Sequence, residues 1–261
     1  MANWLTHFTR ENPVFDKEMR LRWHRGRLWI LPAIAVGAAV VLMLIAAAFG
    51  FIERDYLHRT YPLIACVMGY VIAAAVALLV TPALTAGALA GERQQRTLEM
   101  LMITRLTSWH IVIGKLAPAL LTVVLAVVPC LCLSSFFAII GSALDPTRRF
   151  WEYWTTAGLH WLTVPLCAIF AACTGMFFSA MCPNISSATA WAYAVTLGTY
   201  FASRHGLQFM AALGLINVDT RAHNVADLVG RAAIVWIVCA WLAAAGLFGA
   251  RWRLEREAEM Q

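Results

Sequence analysis

Residues 91–115, GERQQRTLEMLMITRLTSWHIVIGK, hold charge and a helical stripe between two long apolar runs. At helical period Leu98, Leu101, Met102 and Leu106 fall on one face, while Arg96, Glu99 and Arg105 lie around the rest of the cylinder. A segment of this kind can lie flat on a membrane or dock on a partner. A solvated loop with an incidental stripe is the plainer alternative, and the neighbouring sequence decides between them.

That neighbouring sequence is apolar. Hydrophobic residues make up 61% of the 261-residue chain and charged residues 13%, against about 45–50% and about 25% in soluble domains. Runs free of Asp, Glu, Lys and Arg extend over 28–52, 61–91, 116–144 and 153–203, each longer than the roughly 20 residues that cross a bilayer as a helix. The last run has room for two crossings, with Cys182-Pro183-Asn184 as the turn. A further run extends from about Ala232 to Ala250. The expectation is an all-α polytopic membrane protein with six transmembrane helices. It divides into an N-terminal arm (1–27), a six-span domain (28–250) and a tail (251–261). Lys and Arg are concentrated in the arm, in the 91–115 connection and in the tail, which by the positive-inside rule places both termini and that connection in the cytoplasm. No cleavable signal peptide is evident, because the 28–52 run is too long and too far from the start. The net charge of +6 comes from basic residues beside apolar spans. They serve as topology signals and contacts to membrane lipids, not to nucleic acid.

Within this frame, Asn12-Pro13 reads as an N-cap followed by proline at the first helical position, with Asp16 in the opening turn. Phe15, Met19 and Trp23 recur every four residues among cations, the pattern of an elbow helix lying in the cytoplasmic interface. The second span ends on Thr81-Pro82 and Thr85, where proline frees a backbone carbonyl for a hydroxyl or a neighbouring helix, and a bend is expected. In the fifth span Thr189, Tyr193, Thr196 and Tyr200 share one face. Such hydroxyls either line a pathway or, more commonly, bond to helix carbonyls and to neighbouring helices. The connection 204–231 contains an apolar stretch, Leu207 to Ile216, too short to span and suited to a re-entrant or interfacial segment on the outer side. The tail alternates charge and carries no evident chemistry.

Several chemistries are missing. The seven cysteines fall in or beside spans and read as small apolar packing residues, without a metal-ligand pattern. The span interiors hold no acid or base of the kind ion-coupled carriers keep near the midplane, which argues against an autonomous carrier. Gly114-Lys115 lacks the upstream glycine of a phosphate-binding loop. No Ser-His-Asp or His-Glu-x-x-His spacing occurs. An active site within the chain is not expected, so energy for transport would come from outside it.

Three stretches carry a family resemblance: Asn12-Pro13-Val14-Phe15 with Lys17-Glu18; Glu92-Arg93 and Thr97-Leu98-Glu99-Met100-Leu101 with Thr104; and Ile111-Val112 with Gly114-Lys115. In these the chain resembles the permease subunits of ABC transporters of the type-2 exporter class. Family members commonly carry glycine before the Thr-Leu-Glu and proline after the later threonine, where this chain has Arg96 and Arg105. The resemblance implies a coupling helix within 92–108, seated on a separate cytoplasmic ABC ATPase. Leu98, Leu101, Met102 and Leu106 would anchor it, and Glu92, Arg93, Arg96, Glu99 and Arg105 would set register. It also implies a second permease copy, identical or not, and a bacterial cytoplasmic membrane. ATP and magnesium would be bound by the partner, with no cofactor in this chain. Thr81, Thr85, Thr189, Tyr193, Thr196 and Tyr200 become pathway candidates, since the second and fifth spans meet across the dimer axis in that family. The alternative is a membrane scaffold in an ATPase-linked assembly or maturation complex that moves no small solute itself.

Overall fold

A computed structural model of the chain describes residues 12–24, 27–50, 61–98, 106–144, 150–212 and 225–259. Among these residues the structure is all-helical, without strands. The helices are α1 (Pro13–His24), α2 (Arg27–Gly50), α3 (Tyr61–Ala75), α4 (Thr81–Gln94), α5 (Ser108–Leu144), α6 (Phe150–Met181), α7 (Ile185–Ala212) and α8 (Val225–Glu259). A π-helical turn, Val76–Val80, joins α3 to α4.

Four described helical stretches are long and apolar enough to cross a membrane: Ile64–Gln94, Ser108–Ile140, Ala157–Met181 and Trp236–Glu257. A fifth results if Pro13–His24 and Trp29–Ile45, whose axes lie at 56°, count as one broken span. Helix α7 is long enough at 28 residues, about 42 Å at 1.5 Å per residue. Its Ser, Thr, Tyr and Trp content keeps it outside the apolar set. These apolar helices make the chain compatible with an integral membrane protein, and the turn at Cys182-Pro183-Asn184 separates α6 from α7 where the sequence placed it. The proposed outer segment from Leu207 is different: α7 continues without a break to Ala212, so its first residues extend a helix and do not begin a new element. Residues 213–224 lie outside the described set.

Helix α6 is the centre of the bundle, packed against α4, α5, α7 and α8. Lipid chains are as apolar as leucine, so membrane helices are held by close packing and by hydrogen bonds between them. The α4–α6 contact shows both. Gly175 lies so close to α4 that a Cβ added there would collide with Thr85 Oγ1 and come within 3.2 Å of the Ala86 nitrogen. One turn on, Ser179 Oγ accepts the backbone N–H groups of Leu89 at 2.8 Å and Ala90 at 2.9 Å. Between α3 and α5, Ser134 Oγ donates to the Cys66 carbonyl at 2.7 Å beside Gly69. Five cysteines (Cys66, Cys130, Cys167, Cys173 and Cys239) are buried, as packing residues should be, whereas Cys132 is exposed on another face from Cys130.

The outward surface is apolar, with Trp29, Ile34, Leu44, Ile237 and Trp241 all exposed, as lipid contact requires. Aromatic rings mark both ends. Trp154 and Trp161 lie toward one end, with Trp161 Nε1 donating to Ser135 Oγ at 2.7 Å. Trp23, Trp29, Trp109 and Trp252 lie toward the other, where most of the described charge collects. From Trp161 to Met181 along α6 is about 30 Å, the thickness of a hydrocarbon core.

Replacement of Gly175 by alanine is expected to lower the thermal midpoint in nanodiscs, at a cost of about 1–3 kcal/mol for overpacking. Gly158→Ala, where an added Cβ meets nothing within 4 Å, should leave it unchanged or raise it slightly. Equal midpoints for the two variants would contradict the packing described.

Candidate functional site

Described residues from each of the three resembling stretches, among them Asn12, Glu18, Glu92, Arg93, Gly114 and Lys115, lie at the charged end of the bundle. Helix α1 starts as its sequence requires. Asn12 Oδ1 accepts the N–H of Val14 at 3.1 Å, and the Asn12 carbonyl accepts that of Asp16 at 3.2 Å. The same side chain reaches across to α5, with Nδ2 donating to the His110 carbonyl at 2.7 Å. Asn12 is 1% exposed. It fits because position 114 is glycine: a Cβ there would stand 3.0 Å from both Asn12 Nδ2 and Val14 Cβ.

Beside Gly114, the Lys115 side chain is 4% exposed. Its Nζ donates to Glu92 Oε1 at 2.8 Å and to Glu18 Oε1 at 3.3 Å. One ammonium thus ties α1, the end of α4 and the start of α5. Moving a cation out of water costs several kcal/mol even after relaxation, so its carboxylate partners are obligatory. Glu92 Oε2 is itself buried without a hydrogen-bond partner among the described residues.

Arg93, the next residue along α4, serves the opposite side. Its Nη1 donates to the Cys182 carbonyl at 3.0 Å and its Nη2 to the Ala180 carbonyl at 3.0 Å, satisfying acceptors at the C-terminus of α6. Nη2 also lies 2.8 and 2.9 Å from the two carboxylate oxygens of Glu257 in α8. Consecutive helical residues point about 100° apart, which lets Glu92 and Arg93 engage different neighbours.

Helix α4 then stops in a Schellman motif. The Thr97 N–H bonds the Glu92 carbonyl at 2.9 Å and the Arg96 N–H bonds that of Arg93 at 3.1 Å, with Arg96 left-handed at φ 57°. Thr97 Oγ1 adds a bond to the Glu92 carbonyl at 3.3 Å. The left-handed position normally favours glycine. Arg96 is exposed and meets that constraint with a side chain.

Of the remaining anchors, Leu98 is 5% exposed and belongs to a cluster with Leu89, Ile111, Val112, Leu116 and Leu254, on which half-buried Leu106 packs. Leu98 is therefore turned into the chain's own core and not outward toward a partner. Glu92 and Arg93, assigned by resemblance to partner register, are likewise paired internally. Glu99, Leu101, Met102 and Arg105 lie outside the described residues. In α1, Phe15 and Met19 are half-buried and Trp23 is exposed, packed edge-on against Trp29 with ring centroids 5.9 Å apart.

The hydroxyl residues are mostly engaged in packing. Thr85 and Thr196 are fully buried; Thr85 Oγ1 donates to the Thr81 carbonyl at 3.0 Å, and Thr196 Oγ1 lies 2.9 Å from Thr174 Oγ1. Thr189 Oγ1 bonds back to the Ile185 carbonyl at 2.8 Å. Tyr193 Oη donates to the Leu79 carbonyl at 2.5 Å. This acceptor lies in the π turn just before Pro82, whose missing N–H breaks the helical ladder there. Thr81 Oγ1 is buried without a hydrogen-bond partner among the described residues. Tyr200 is half-buried, its ring edge-on to Phe201. In this structure the stripe is a set of helix-to-helix and helix-to-self bonds.

In the sequence Lys115 stood out as failing a phosphate-loop pattern and as part of a resembling stretch, not as an ion-pair centre, and the tail carried no evident chemistry. A lone lysine flanked by Gly114 and Leu116 at the mouth of an apolar span was itself a signal, since such a group must reach water or find a carboxylate. No protein-family model matches the chain, and no curated protein matches it.

Lys115→Met should destabilise the protein by about 3–5 kcal/mol, because two carboxylates lose their cation. The double variant Lys115→Met/Glu92→Gln should recover part of that loss in the same thermal assay; no recovery would contradict the pairing. Arg96→Gly should raise stability by about 1 kcal/mol, relieving the left-handed residue.

Proposed function

We propose that this chain is the permease subunit of an ATP-binding cassette transporter of the type-2 exporter class, driven by a separate cytoplasmic ATPase. The observation that carries the reading is the junction at Lys115. Glu18, Glu92 and Lys115, one residue from each of the three resembling stretches, meet at one buried ion cluster at the root of the amphipathic 91–115 segment. On this reading α2, the α3–α4 pair, α5, α6, α7 and α8 are six spans, both termini are cytoplasmic, and α1 is the interfacial elbow. Residues 92–108 include the coupling helix. Leu101 and Met102 face the ATPase groove, while Arg96, Glu99 and Arg105 at its edge set partner choice. ATP-driven closure of the ATPase pair moves this segment, and the spans shift between inward-open and outward-open packings. The chain contributes geometry, and hydrolysis of ATP with its magnesium belongs to the partner.

A second reading, a scaffold subunit in an ATPase-linked assembly, is favoured by the engaged hydroxyls of Thr85, Thr189, Tyr193 and Thr196. Tyr193→Phe separates the two. Under the transport reading it changes function through the Leu79 contact, and under the scaffold reading function survives with the ATPase complex intact.

Purification of the full chain in mild detergent together with its genetically linked ATPase should yield co-eluting ATP hydrolysis. Arg96→Glu/Arg105→Glu should abolish co-elution while the permease stays folded. Absence of any ATPase association with the wild-type chain would overturn the proposal.

A further inference from the structure

The C-terminal end of α8, from Arg251 on, packs along the root of the 91–115 segment through three different contacts. Leu254, 2% exposed, shares its buried cluster with Leu98 and with Leu106 packed against it, the two residues that flank 99–105. Glu257 holds Arg93 Nη2 at 2.8 Å, with side-chain exposures of only 18% and 23%. The Arg251 guanidinium lies 5.3 Å from the centroid of the Trp109 ring, at cation–π distance, and Phe248 packs edge-on against the same ring.

The Glu257 contact has a further property. Arg253 Nε lies 3.2 Å from the same Oε1 of Glu257, one turn away on the same helix. The carboxylate would therefore keep a cation at ion-pair distance, without a hydrogen bond to it, if the contact to Arg93 opened. Arg93, for its part, keeps the two carbonyls at the end of α6. Each partner has an alternative stabilising contact, so separating the two is less costly than breaking an isolated buried pair. The tail is thus held firmly by Leu254 and releasably by Glu257.

We propose that the C-terminal tail is a positioning strap for the 91–115 segment, with Glu257 as its releasable contact. Leu98 and Leu106 flank residues 99–105, and the strap fixes both points relative to α6 and α8. The proposal deepens the permease reading, because a fixed root is what turns displacement of a coupling helix into movement of the spans. Its structural core stands on the tail contacts alone.

Hydrogen exchange on the full chain in nanodiscs tests it. Glu257→Gln should speed amide exchange over 94–98 and 106–109 by about threefold or more, leaving 123–131 within α5 unchanged. Glu257→Asp, which keeps the charge, should restore most of the protection. Unchanged exchange at the segment root would overturn the strap, and so would an equal acceleration at 123–131, which would mark general loosening. With the ATPase bound, the protection change that a non-hydrolysable ATP analogue induces in α5 should shrink in Glu257→Gln. Failure of the chain to bind any ATPase would remove the permease reading, while the exchange result would still decide for or against the strap.

Discussion

A lysine that is 4% exposed at the end of an apolar bundle needs carboxylates brought to it, and much of the charged end is arranged by that need. Glu92 arrives from the end of α4 and Glu18 from the middle of α1. The arm preceding the first apolar run is thereby tied to α5, and α4 must end close to where α5 begins. Gly114 opens the space for Asn12, which caps α1 and bonds the His110 carbonyl. The entry and exit of the 99–105 segment follow from these positions, as does the Schellman stop that needs Arg96 left-handed.

Alternation of charge along α4 extends the effect. Glu92 draws α1 and α5 together, while Arg93 draws in the C-terminus of α6 and the tail of α8. A push applied between Leu98 and Leu106 would reach those helices through charged or buried contacts and not through mobile loops. Close-packed cores move between discrete arrangements more readily than they deform. On the proposed reading this makes the charged end a transmission point, and the apolar helices beyond it the elements that respond.

Much of the helical layout was legible from uncharged runs, from the Asn12-Pro13 cap and from the Cys182-Pro183-Asn184 turn, because these depend on local chemistry. At Thr81-Pro82 the expectation was a bend, and the structure has a π turn, Val76–Val80, before it, with Tyr193 bonding the Leu79 carbonyl in that turn. Direction was not legible. The helical stripe grouped Leu98 with Leu101 and Met102, but periodicity cannot say whether a face turns toward a partner or toward α5 and α8. The hydroxyls of α7 were visible as a stripe, yet their partners lie on α6, in the π turn or on α7 itself. Lys115 and Glu257 depend on partners 23 to 164 residues away, a separation that no sequence window captures. The end of α7 was not legible either: the charge-free run stops before Arg204, whereas the helix continues to Ala212, since a helix can carry such residues past the bilayer face.

The central claim is that 91–115 is the place where an external ATPase engages this chain. A photo-crosslinking residue placed at position 102 in native membranes tests it most directly, with the captured protein assayed for ATP binding and hydrolysis. The account predicts one dominant adduct with a cytoplasmic ATPase, altered by ATP, and none from a control position on the lipid-facing surface such as 241. Adducts formed only with lipid, or with proteins that neither bind nor hydrolyse ATP, would contradict it.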